Sequence, residues 1–187
     1  MSLIDEFLPN YQFSERHQTM VSCEPGELLN IVQSFKPPQD RVTDIFMFIR
    51  QMPAMLLHYM APLRIPPPKP FTPANFVPLG RDGDRELVGG LVGQFWRPDF
   101  GLVFLSRPSE FLDLTAPHTA KLTIGFHAER VGETTRLTTE TRVHCPDRCS
   151  FMMFLPYWLI IRPFSGILRR RALNAIRKLA ESRAALT

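Results

Sequence analysis

The chain has 187 residues, 44% of them apolar, with a net charge of +4 and a pI near 9.2. That length suits one domain with its own core, and the apolar content excludes a disordered chain. Three cysteines, Cys23, Cys145 and Cys149, make no disulfide framework, and "MSLIDEFLPNYQF" lacks the basic start and apolar run of a secretory signal, so a cytoplasmic location is expected.

In chain order, residues 1–12 read as an N-terminal extension. Residues 13–23 ("FSERHQTMVSC") alternate loosely and predict a strand. "EPGELLNIVQSF" predicts a helix with Pro25 at its first position and Leu28, Leu29, Val32 and Phe35 on one face. Pro37 and Pro38 end it, and residues 40–60 ("DRVTDIFMFIRQMPAMLLHYM") predict a second helix broken near Pro53. The proline-rich segment 63–73 reads as a stiff, extended crossing.

From Asn75 the pattern turns to β. "NFVPLG" and "RELVGGLVGQFW" flank Asp82-Gly83, a favoured hairpin pair. "FGLVFL" reads as a further strand and "RPSEFLDL" as a helical turn capped by Ser109. "HTAKLTIGFHAERV" and "TTRLTTETRVHC" flank Gly132-Glu133 as a second hairpin. Ala120, Leu122, Ile124, Phe126 and Ala128 share one face, as do Leu137, Thr139, Thr141 and Val143. The opposite faces, with His127, Glu140 and Arg142, are expected to face water.

The last segment is capped by Asp147 and is the most apolar of the chain. The run 151–161 stops near half of the roughly 20 residues a spanning helix needs, so it is expected to be a helix wrapped by protein on several sides. Pro156 and Pro163 should kink or interrupt it. Beyond it Ile167, Leu168, Ala172, Ala175, Ile176 and Leu179 recur at helical spacing, with Arg169, Arg170, Arg177 and Lys178 read as a solvated basic face.

The order is thus α+β: strand, two helices, antiparallel strands, long C-terminal helix. With "EPGELLNIV", "TTRLTTETRV" and "YWLIIRPFSGILRRRALNAIRK", it resembles the helix-grip fold of the START-like SRPBCC superfamily, over nearly the whole chain. That resemblance implies a curved sheet around the last helix and a cavity between them for an apolar or amphipathic ligand: a lipid, a quinone or a polyketide-like molecule.

The expected lining is Leu91, Phe95, Leu122, Ile124, Phe126, Thr139, Thr141, Tyr157, Trp158 and Ile161. Gly89 and Gly93, on the face of Leu91 and Phe95, leave room for sheet curvature or for a ligand. The Thr139 and Thr141 hydroxyls must find backbone carbonyls or a ligand's polar end. Tyr157 and Trp158 read as core filling with polar tips. His144, Cys145 and Cys149 match no standard zinc spacing, and Cys145 and Cys149 read as small apolar fillers, so neither metal nor cofactor is called for. No catalytic motif is recognisable, but general acid–base chemistry needs only one titratable group in a pocket, so a cyclase or dehydratase activity stays open, with His58 and Tyr157 the first groups to check. The expected partners are a hydrophobic small molecule and weak peripheral membrane contact through the basic helix end, with no nucleic acid.

Overall fold

The computed structural model describes residues 2–35, 75–97 and 99–184. The second helix expected at 40–60, with His58, and the crossing segment 63–73 lie outside these. The described chain is α+β: a five-stranded antiparallel sheet and a long C-terminal helix. In order it runs α1 (Leu3–Phe7), β1 (Phe13–Val21), α2 (Pro25–Ser34), β2 (Val77–Asp82), β3 (Glu86–Gly93), α3 (Pro108–Asp113), β4 (Ala120–Val131), β5 (Thr134–His144) and α4 (Arg148–Ala184).

The strand order is β1-β5-β4-β3-β2. Strands β2 to β5 form a meander, and β1 adds to the free side of β5. The turn after β2 begins at Gly83, whose φ of 47° a side chain would oppose. Pro25 occupies the first turn of α2, where its missing N–H costs nothing. The faces read from β4 and β5 match the strand pairing, with Ala120, Ala128, Leu137 and Val143 buried on one of them, but Leu122, Ile124 and Phe126 on that face are half-buried.

That face carries two apolar clusters. One joins Val21, Leu28, Leu29, Ile31, Ala128 and Leu137 to Leu173, Ile176 and Ala180 of α4. The other joins Phe13, Leu91, Phe95, Ala120 and Val143 to Phe154 of α4. Phe154 is the hub of the second, with Phe13 at 4.9 Å, Tyr157 at 5.5 Å and Trp158 at 5.8 Å between ring centres.

The opposite face is not open to water as expected. Segment 1–12 is no passive extension, because its short α1 lies on this face together with α3. Ile4, Leu79, Val88, Val92 and Phe111 form a third apolar cluster there. Glu86 ties α1 down, accepting from the Ser2 hydroxyl at 2.6 Å and from the Leu3 N–H. Thr123, Thr138 and Arg142 are buried beneath this cover.

Other expectations are corrected in detail. Residues 100–105 are no strand; Val103 makes a single bridge to Val92, since Phe100 and Gly101 both turn at positive φ. Arg107, not Ser109, precedes α3, with Pro108 in its first turn. Helix α4 runs 37 residues without interruption through Pro156 and Pro163. Both prolines are exposed, so the carbonyls they leave without a helical donor lie on the water side. Nor is the 151–161 run wrapped on several sides: Met152, Met153, Leu159 and Ile160 are exposed. By length and composition alone this one helix is long and apolar enough to cross a membrane. Asp147 does cap it, accepting from the Ser150 N–H at 2.8 Å and the Ser150 hydroxyl at 2.7 Å.

Candidate functional site

The face beneath α4 is built in transverse rows. Phe13, Val143, Leu122 and Leu91 stand abreast on β1, β5, β4 and β3. The next row on this face is Glu15, Thr141, Ile124 and Gly89, and the next His17, Thr139, Phe126 and Leu87. Beyond them Leu137 and Ala128 return to the apolar core. Two polar rows therefore lie between two apolar clusters. Their polar groups sit on β1 and β5, and their apolar groups and a glycine on β4 and β3.

Helix α4 matches this pattern from above. Its inward stripe is Ser150, Phe154, Trp158, Ile161, Ser165, Arg169, Leu173, Ile176 and Ala180. The stripe turns polar at Ser165 and Arg169, the same level at which the sheet does. At Gly166 the helix backbone rests on β1 side chains: a Cβ there would stand 2.9 Å from Glu15 Oε1 and 3.6 Å from the His17 ring. Arg169, expected on the solvated basic face, instead turns toward the sheet. Its Nε lies 3.8 Å from Glu15 Oε2 and donates to Ser165 Oγ at 3.3 Å. Glu15 Oε1 meets His17 Nε2 at 2.8 Å.

This centre is buried and incompletely paired. Glu15 is 9% exposed, Thr139 2% and Thr141 1%. Glu15 Oε2, Thr139 Oγ1, Thr141 Oγ1 and Arg169 Nη1 are all shut from solvent without a hydrogen-bond partner among the described residues. Nearly all buried polar groups in folded proteins are paired, and an orphan costs about 1–3 kcal/mol. Four such atoms, on β1, β5 and α4, lie between the two apolar clusters without a hydrogen-bond partner among the described residues. Burial pushes the Arg169 pKa down, with the Glu15 charge opposing. Arginine stays protonated through such a shift, so it presents a cation whose Nη1 lacks an acceptor among the described residues.

Of the expected lining, Leu91 and Phe95 are buried in the Phe154 cluster, with Leu122, Tyr157 and Trp158 half-buried against it. Ile161 is buried on the inner side of α4. Ile124 and Phe126 are half-buried within the polar rows, abreast of Thr141 and Thr139. The room left by Gly93 is filled by the chain, since a Cβ there would meet the Phe100 carbonyl at 2.7 Å. Gly89 is looser, with Phe76 no nearer than 3.6 Å. Glu15, His17, Ser165 and Arg169 were missed. The available signal was parity: Glu15 and His17 fall in phase with Phe13 and Val21, and Arg169 in phase with Ile161 and Leu173.

Two other clusters are weaker candidates. A cavity of about 280 Å³ opens on the opposite face, lined by Arg16, Glu86, His127, Thr138, Glu140 and Arg142. His127, expected in solvent, thus lines a pocket. Its charges are mostly spoken for, with Arg142 bound to Asp5 and Glu140 at 2.6 Å each, and the Thr138 hydroxyl has no partner among the described residues. At the start of α4, donor atoms of His118, Asp147 and Cys149 lie within 4.8 Å of one another. Both Asp147 oxygens are committed to capping, and the positive end of a long helix disfavours a cation there. Cys149 is exposed rather than a core filler, whereas burial pushes the Cys145 thiol up to about 12 and Cys23 to about 11, which makes both poor nucleophiles. The chain matches no family model, no curated protein and no solved structure.

Proposed function

We propose that this chain binds an amphipathic small molecule, with its polar end among Glu15, Thr139, Thr141 and Arg169 and its apolar body along Ile124, Phe126 and Leu122. The observation that carries this reading is the set of buried polar atoms between two apolar clusters that have no partner among the described residues. A neutral carboxylic acid, with one O–H to give to Glu15 Oε2 and lone pairs to accept from Arg169 Nη1 and the two threonine hydroxyls, has the donors and acceptors to pair all four. The strand order supports assignment to the helix-grip fold, with the first strand beside the last, a meander beyond it, and the closing helix over the same face.

Native mass spectrometry of gently purified protein, with thermal unfolding against fatty acids, quinones, sterols and polyketide-like aromatics, tests this. A true ligand at 100 times its Kd stabilises by about 2.7 kcal/mol. Silence across the whole panel refutes the proposal.

A second reading follows from the Glu15–His17 contact at 2.8 Å. A carboxylate that orients an imidazole beside a bound ligand is equipped for proton transfer, as in a cyclase or dehydratase. In that case His17→Asn keeps ligand binding but stops turnover. Binding without any chemical change in the ligand over hours leaves the chain a carrier.

A further inference from the structure

The outer face of α4 is a separate feature, independent of the polar centre. Met152 and Leu159 are each 64% exposed, and Met153, Ile160 and Ile167 about half exposed. Pro156 and Pro163 are exposed among them. Their three- and four-residue spacing places them on one stripe, opposite the stripe that holds Phe154 and Ile161. The stripe is bounded at both ends by exposed arginine: Arg148 four residues before Met152, and Arg170 three residues after Ile167. It continues through the exposed Asn174 and Lys178. Glu181, also on this side, is paired with Arg177 at 3.0 Å.

We propose that this face is a docking surface for an anionic lipid bilayer, with the helix lying in the headgroup region rather than crossing it. Charge decides between a bilayer and a second copy of the chain. Self-pairing over the apolar stretch, parallel or antiparallel, sets arginine against arginine at its ends, which opposes association. Anionic headgroups meet the same arginines favourably, and long basic side chains at the rim reach them while the apolar stripe enters the acyl boundary. The inner stripe decides between lying and crossing. Phe154 is locked against Phe13, and Gly166 sits on Glu15 and His17, so the helix cannot enter a bilayer lengthwise without tearing from its sheet.

The test is co-sedimentation of the full chain with vesicles of phosphatidylcholine, with and without phosphatidylserine. Partition is expected only with the anionic lipid, and it falls steeply as salt rises from ~0.1 to ~1 M and the Debye length shrinks from about 10 to about 3 Å. The triple variant R148E/R170E/K178E lowers the partition by on the order of a hundredfold. M152N/L159N lowers it by a similar, roughly hundredfold factor through lost apolar burial. These side chains are exposed, so both variants keep the wild-type melting temperature; the salt series on wild type needs no variant. Three results overturn the proposal. The first is no partition to anionic vesicles, or partition that ignores salt and both variants. The second is protein retained in the bilayer after alkaline carbonate extraction, which means the helix crosses. The third is a concentration-dependent dimer that M152N/L159N dissociates, which assigns the face to a second copy.

Discussion

Replacing Thr139 and Thr141 by valine separates what the fold needs from what the site needs. The two hydroxyls are almost fully shut from solvent and have no partner among the described residues. Valine keeps the β-branched shape and removes the polar atom. An unpaired buried hydroxyl costs about 1–3 kcal/mol, so each replacement should stabilise the ligand-free protein by about 1 kcal/mol or more. The two positions share a face two residues apart, and their effects need not add, which puts the double variant at roughly 1–4 kcal/mol. Urea unfolding of both proteins, each stripped of ligand, measures the change; an unaltered m-value shows that the unfolded state is not its source. The same variant should lose its thermal response to any ligand that stabilises wild type. A stable protein that has stopped binding is the signature of a site maintained against the interest of the fold. If the double variant unfolds more readily by 1 kcal/mol or more, the hydroxyls are paired in the resting protein and the constellation is structural.

Phe154→Ala removes the hub of an aromatic cluster and should cost about 3–5 kcal/mol in chemical unfolding; a cost under about 1 kcal/mol would mean that α4 does not rest on Phe13. Gly166→Val forces a side chain into the gap that Glu15 Oε1 occupies, 2.9 Å from where its Cβ would stand. It should destabilise by about 1–3 kcal/mol and abolish ligand response together, while a fully responsive variant would show that the helix and β1 need not touch there. The Asp147 carboxyl is held down to about 2 by the Ser150 hydroxyl and N–H. A lowered folded-state pKa gives stability that is present above the ordinary value of 3.8 and is lost as pH falls toward 2. Asp147→Asn should therefore melt below wild type at neutral pH, with the gap closing between about pH 4 and pH 2; a pH-independent gap would rule out the charge as its source.

The sheet was legible because its signals are local. Asp82-Gly83 and Gly132-Glu133 mark turns, and the period-two alternation of residues 120–128 and 137–143 needs only neighbours a few residues away. The site was half legible. Thr139 and Thr141 betray themselves by standing in phase with Leu137 and Val143. Glu15 and His17 do not, because a charged residue on a loosely alternating edge strand reads as solvated until β5 and α4 close over it. Arg169 reads as one of three consecutive arginines, yet only the helix phase set by Ile161 and Leu173 turns it inward. Segment 1–12 was misjudged for the same reason: a five-residue helix has too little periodicity to announce the face it covers, and Glu86, which anchors it, is more than eighty residues away. The outer face of α4 was misread in the opposite direction, since an apolar run of that length implies protein on every side.

The pairing of β1 with β5 also governs the order in which the molecule can be made. Phe13 lies beside Val143, 130 residues later in the chain. Contacts of such separation close slowly, since the entropy of the intervening loop must be lost before they form. During synthesis β2, β3 and β4 can zip as local hairpins while β1 waits, its Glu15 and His17 still in water. Their dehydration is therefore expected late in folding, when β5 pairs with β1 and α4 covers them. A chain stalled before that point exposes an unpaired β1 and an uncovered sheet face, the form most prone to aggregate, and any ligand that reaches the polar rows would help to draw the last two elements home.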